Sequence, residues 1–191
     1  MRLTLALMMA VAVSSAAAQT FSVRGGLNVA TQAWRFNNRN IKPKTLVGPH
    51  INVAVTNSLT RKIATQLEVG YTRIGHGGYE QASPIQDIPE DSEDFALAAL
   101  MFKYHVSENV NFHLGPQMGW FIGNKQNLGQ TDFSAAAGIE AYPTKYFGLG
   151  ARYCYGISDL NPDQSASQKS RFLQLSVIFR FRSDQLDELH Y

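Results

Sequence analysis

The run Phe147-Gly148-Leu149-Gly150-Ala151-Arg152-Tyr153-Cys154-Tyr155-Gly156 decides how this chain folds. Every second residue, from Phe147 through Leu149, Ala151 and Tyr153 to Tyr155, is apolar or aromatic. Between them stand glycines, Arg152 and Cys154. Successive side chains on a strand point to opposite faces, so a period of two predicts an extended strand with one apolar face. A helix would repeat its apolar residues every three to four positions instead.

Outward from this run the same alternation recurs in seven more segments. Phe21 to Thr31 sets Phe21, Val23, Leu27 and Val29 against Ser22, Arg24, Gly26 and Asn28. His50 to Thr56 sets Ile51, Val53 and Val55 against Asn52 and Thr56. Ile63 to Ile74 sets Ile63, Leu67, Val69 and Tyr71 against Gln66, Glu68 and Thr72. Phe95 to Val106 is the most apolar segment; Lys103 sets its phase and places Leu100, Phe102 and Tyr104 on the apolar face. The fifth segment alternates Val110, Phe112, Leu114, Met118, Trp120 and Ile122 with Asn111, His113, Gln117 and Gly119. Phe133 to Glu140 and Leu173 to Phe181 complete the set around Phe147–Gly156. Pro116 falls inside the fifth strand, where its missing N–H predicts a bulge or bend.

The connections run alternately long and short. Gln32 to Val47, Gly75 to Asp94, Gly123 to Thr131 and Asp159 to Ser170 are long. The turns near Asn57 to Thr60, Ser107 to Asn109 and Pro143 to Lys145 are short. Short turns at one end and long loops at the other characterise an outer-membrane barrel, whose termini lie in the periplasm when the strand count is even. The expected fold is therefore all-β, an eight-stranded antiparallel up-and-down transmembrane barrel.

Composition agrees. Charged residues make up 17%, and after residue 19 no apolar run is long enough for a spanning helix. Arg2, the apolar stretch Leu3 to Val13 and Ala16-Ala17-Ala18 have the layout of a signal peptide, expected over residues 1–18. The barrel is expected over 19–182, and 183–191 as a short periplasmic tail. Lys and Arg number 17 and Asp and Glu 15, near balance, with no basic stripe to argue for nucleic acid. The lone Cys154 makes no internal disulfide and is expected as a packed thiol.

A soluble lipocalin-like barrel also has eight strands, but its apolar face points inward. Here the polar face is rich in Gly, Ser, Asn and Gln, small residues suited to a narrow lumen. The aromatic residues of the apolar face divide into two belts. Tyr71, Trp120, Phe133, Tyr153 and Tyr155 fall toward the long loops; Phe21, Tyr104, Phe147, Phe179 and Phe181 fall toward the short turns. Amphipathic rings prefer the two membrane interfaces.

Several motifs resemble the PorT-like outer membrane β-barrel proteins, a porin-type family with OmpA-like eight-stranded barrels. Lys103-Tyr104 closing the apolar run from Phe95, Gly115-Pro116, Asp132-Phe133, Arg152-Tyr153 with Tyr155-Gly156, and Leu173-Gln174-Leu175 carry the resemblance. Leu97 and Ala99 replace the family's Glu and Pro. The resemblance implies a Gram-negative outer-membrane barrel and little about activity, although one namesake acts in protein secretion.

Six charges fall on the inward face: Arg24, Glu68, Lys103, Glu140, Arg152 and Arg180. Ionisable groups in a narrow lumen must pair, so these are expected to fill the barrel rather than to line an ion path. His50, His76, Ser83, Asp87, Asp91, Ser92 and Asp94 fall at or above the long-loop end and are the candidates for rim catalysis on lipid or peptide. No metal-ligand spacing appears among the histidines. Neither catalysis nor a cofactor is expected. Arg35, Arg39, Lys42 and Lys44 form a basic loop and Glu80 to Asp94 holds six acids. Outer-membrane lipid, lipopolysaccharide, and a protein partner outside the cell or in the periplasm are the expected contacts. The expected role is structural, adhesive or assembly-related, with an enzyme and a small-solute pore as the competing readings.

Overall fold

The structure, a computed structural model, describes residues 19–36, 39–41, 44–77, 91–123, 131–159 and 166–181. The segments expected as signal peptide and tail lie outside them. Nine strands appear among the described residues: β1 (Gln19–Phe36), β2 (Arg39–Ile41), β3 (Leu46–Ser58), β4 (Ile63–His76), β5 (Asp91–His105), β6 (Val110–Phe121), β7 (Thr131–Ala141), β8 (Phe147–Gly156) and β9 (Ala166–Phe181). All pairings are antiparallel, each long strand pairs with the next, and β9 closes on β1. The result is a closed eight-stranded barrel with β2 as a three-residue addition to the end of β1.

Paired residues traced once around the wall give its stagger. Gln19 pairs with Asn57, and the path runs through Thr65, Phe102, Leu114, Ala137, Tyr153 and Leu173. It returns to β1 at Val29, ten positions beyond its start. Eight strands with that stagger tilt by roughly 40° to the barrel axis.

Alternation holds on every barrel strand. In β7, Asp132, Ser134, Ala136 and Glu140 are buried while Phe133, Ala135, Ala137 and Ile139 are exposed. The outward apolar residues form one continuous surface, far larger than the few hundred Å² that a water-soluble monomer exposes. Along β9 that surface runs from Leu173 to Phe181. Toward the long loops the first outward charges are Arg73, Asp94 and Arg171, at the level where Val47, Ile122 and Ile157 end the apolar surface. With the tilt, the eight steps from Leu173 to Phe181 rise about 20 Å along the barrel axis, most of the roughly 25 Å height of an outer-membrane apolar band.

Three expectations need correction. The strands reach further into the long connections, because β1 and β9 stay in register up to Phe36 and Ala166. The Gln32–Val47 segment is thus largely strand. Pro116 makes no bulge: β5 and β6 keep one register on both sides, and the ladder only skips Leu100 and Met101 opposite Pro116 and Gly115. The β7 side stays paired throughout, Pro116 with Ala135. A Cβ on Gly115 would stand 1.9 Å from the Leu100 carbonyl oxygen, so only glycine admits β5 this close. Finally, the lumen is not polar throughout, because β5 turns Phe95, Leu97, Ala99 and Met101 inward.

Candidate functional site

The filling of the lumen changes character from the short turns to the long loops. In the half nearer the short turns lies an ionic core. Arg24 on β1 reaches across to Glu140 on β7, Nη2 to Oε1 at 2.5 Å, and its Nη1 lies 3.4 Å from Glu68 on β4. Arg152 on β8 donates to Glu68 through both terminal nitrogens, at 2.9 and 2.5 Å, and through Nε to His113 at 3.0 Å. Lys103 Nζ and Tyr142 Oη both donate to Glu140 Oε2 at 2.7 Å. Gln66 donates to Glu68. Neither glutamate has exposed surface.

Arg180 joins differently. Its guanidinium carbon stands 3.1 Å over the ring centroid of Tyr142, a cation–π contact at the edge of the ionic core. Five of the six inward charges expected from the sequence therefore meet as ion pairs. The sixth reaches them through an aromatic ring. Gln66, His113 and Tyr142 complete the network; the first two share the inward phase of Glu68 and Asn111, whereas Tyr142 lies just past the end of β7.

Above the ionic core runs a neutral polar layer. His50 Nε2 lies 3.0 Å from Ser176 Oγ. Asn28 donates to Thr72 Oγ1 at 2.8 Å and accepts from Gln174 at 3.1 Å. Gly26 makes room here, since a Cβ would lie 3.0 Å from His50 Cε1. Toward the long loops the filling becomes apolar. Ile74, Phe95, Leu97, Phe121 and Phe172 pack together there, with Phe95 and Phe121 edge to face at 5.8 Å, and Met101 carries the cluster down to the level of Gln66. Cys154 is fully buried among them, its thiol 3.8 Å from Gln117 Oε1. At the rim, Asp132 accepts from Ser170 at 2.5 Å and from Ser158 at 3.1 Å.

The candidate rim residues do not converge. His50 is inside the lumen, whereas Asp94 faces outward and accepts from Arg73 Nε at 2.7 Å, Arg73 Nη2 at 3.1 Å across both oxygens, and Tyr71 at 2.6 Å. His76 sits opposite Asp91 and Gly75 opposite Ser92 in the β4–β5 register. Ser83 and Asp87 lie outside the described residues, as do the side chains of Arg35, Arg39 and Lys42. Lys44 bridges to Gly77 through its backbone. Among the described residues no cluster of His, Cys, Asp and Glu could hold a metal.

Outside, Phe21, Tyr104, Phe179 and Phe181 are exposed toward the short turns, and Trp120, Phe133, Tyr153 and Tyr155 toward the long loops. Tyr71 is half-buried, as is Phe147, which packs edge to face on Phe179 at 5.7 Å. Phe102, Phe112 and Tyr146 share the lower belt, where the sequence reading had not placed them.

Several solved structures are similar to this chain. Neisserial surface protein A is 15% identical, with a TM-score of 0.51 over 84% of this chain and 97% of that one. Ail, the attachment invasion locus protein of Yersinia pestis, is 19% identical, with a TM-score of 0.47 over 86% and 99%. OprG of Pseudomonas aeruginosa is 10% identical, with a TM-score of 0.49 over 87% and 97%. No curated protein matches. The model of the outer membrane protein beta-barrel domain matches residues 3–181, and the chain belongs to that family of outer-membrane barrels.

Proposed function

We propose that this barrel is a closed, non-catalytic fixture of the outer membrane, holding its long loops outside the cell for a structural, adhesive or assembly role. The observation that carries this reading is the filling of the lumen. Eight strands enclose only enough space for side chains, and here that space holds Arg24, Glu68, Glu140 and Arg152 below and Phe95, Phe121 and Phe172 above. A solute would have to break buried ion pairs and then pass an apolar layer. Both termini lie on the periplasmic side in this reading, with the long loops facing lipopolysaccharide and external partners. The two aromatic belts sit at the headgroup levels. The separation of His50 inside from Asp94 outside argues against rim catalysis.

Planar lipid bilayers test the closed lumen directly. Purified, refolded protein should insert without discrete conductance steps at moderate voltage. Regular unitary steps would overturn the closed reading and favour a small-solute pore.

A further inference from the structure

The short-turn half of the lumen holds more positive than negative charge. Among the described residues its inward charges are Arg24, Lys103, Arg152 and Arg180 against Glu68 and Glu140. The two carboxylates are fully engaged. Glu68 takes Arg152, Arg24 and Gln66; Glu140 takes Arg24, Lys103 and Tyr142. Among the described residues Arg180 meets an aromatic face and no carboxylate. It is also the least buried of the four, one residue from the end of β9 and at the opening of the barrel. Lys103 and His105, two residues apart and on the same inward phase of β5, both lie within electrostatic reach of it. Deeper in, Arg24 Nε is buried without a hydrogen-bond acceptor.

Uncompensated positive charge in a low-dielectric lumen is costly, and a planar guanidinium with unused N–H donors matches the oxygens of an oxyanion. We propose that Arg180, backed by Lys103, forms an oxyanion site at the short-turn mouth of the lumen. The Tyr142 ring holds the guanidinium plane from one side and leaves its N–H edge to the ligand. The ligand is a carboxylate or phosphate group, from one of two sources. It is a small free anion, or it is an acidic side chain of residues 182–191, which follow β9 directly and carry Asp184, Asp187 and Glu188. The site needs no conductance, so channel activity would overturn the closed-lumen reading and leave this site standing.

The test uses the full chain folded in detergent micelles with labelled arginine side chains. Inorganic phosphate is titrated at constant ionic strength while the Arg180 Nε–H resonance is followed. A saturable shift in the full chain identifies a free anion as ligand. No shift in the full chain, but a saturable one in the D184N/D187N/E188Q variant, identifies residues 182–191 as the ligand. In whichever chain shows the shift, Arg180→Gln should weaken phosphate stabilisation of the folded band roughly tenfold or more. Arg180→Lys, which keeps the charge and loses the fork, should fall between. Retained heat-modifiable migration certifies that each variant has folded. Absence of a saturable shift in both chains, or phosphate stabilisation of the responding chain unchanged by Arg180→Gln, overturns the proposal.

Discussion

Arg24 and Glu140 meet at 2.5 Å although 116 residues separate them and β8 and β9 stand between their strands in the wall. The pair is a crossbeam through the lumen, and Glu140 is its busiest joint, also taking Lys103 and Tyr142. Removing one partner of a buried ion pair leaves the other charge uncompensated, at a cost of about 3–5 kcal/mol. Glu140→Gln should therefore lower unfolding free energy by roughly that amount, read by urea titration in lipid vesicles with heat-modifiable migration as the probe. An unchanged midpoint would mean that the crossbeam does not bear on stability.

The apolar layer makes a separate prediction. Truncating a buried phenylalanine to alanine removes its transfer energy and leaves a cavity, at a cost of about 3–5 kcal/mol. Phe121→Ala should fall in this range, while the surface change Phe112→Ala, on the lipid side, should cost clearly less. The bilayer should stay silent for Phe121→Ala, because the ionic core still closes the other half. Conductance steps in this variant would locate the seal in the apolar layer alone.

Gly115 and Pro116 should respond in opposite senses. Gly115→Val places a side chain where the Leu100 carbonyl already stands, and should abolish the folded band on unboiled gels. Pro116→Ala supplies a backbone N–H at the gap in the β5–β6 ladder, and should be tolerated. A folded Gly115→Val protein would show that β5 can move away from β6 at this point.

Trp120 offers an optical ruler. It is 42% exposed on the outer face near the long-loop end. In a Trp34→Phe background its fluorescence should be quenched more by lipids brominated near the headgroup than by those brominated at the chain ends. The reverse order would displace the upper aromatic belt from the interface.

Arg73 and Asp94 lie where the apolar band ends and supply a pH effect. The Arg73 guanidinium, hydrogen-bonded to it, holds the Asp94 carboxyl below its ordinary value. A depressed carboxyl adds stability above its unfolded pKa and loses it as pH falls through the folded one. The loss belongs in the acid limb, below the usual carboxylate range. Because the pair is partly exposed, the effect should stay within about 1 kcal/mol. Asp94→Asn should flatten that limb of a stability–pH profile and leave neutral pH nearly unchanged; an unaltered limb would exclude the pair as its source.

Much of this architecture was legible in alternation alone. Lys103 set the phase of β5, and Arg24, Glu68, Glu140 and Arg152 all fell on the inward face before any contact was known. Which of them touch was not legible, because it depends on the ten-residue stagger that brings Arg24 and Glu140 to one level. The apolar filling escaped for a different reason. Phe95 to Met101 is apolar on both faces, so its inward half carries no contrast against its outward half. Phe121 stands between the equally apolar Trp120 and Ile122, and Phe172 stands just before Leu173, where the alternation of the last strand begins. His50 read as a loop-end residue because the Leu46–Pro49 extension of β3, with its glycine and proline, carries little strand signal.

The seam between β1 and β9 has a consequence for how the molecule comes into being. Arg24 is made in the first strand, yet its acidic partners arrive on the fourth and seventh, and the wall closes only when the ninth docks. Until that moment the interior charges face whatever surrounds the half-built sheet. Insertion must therefore keep the concave side wet while the convex side meets lipid, and expel most of that water in the final step. The last strand is the lock on an assembly whose key residue was laid down first.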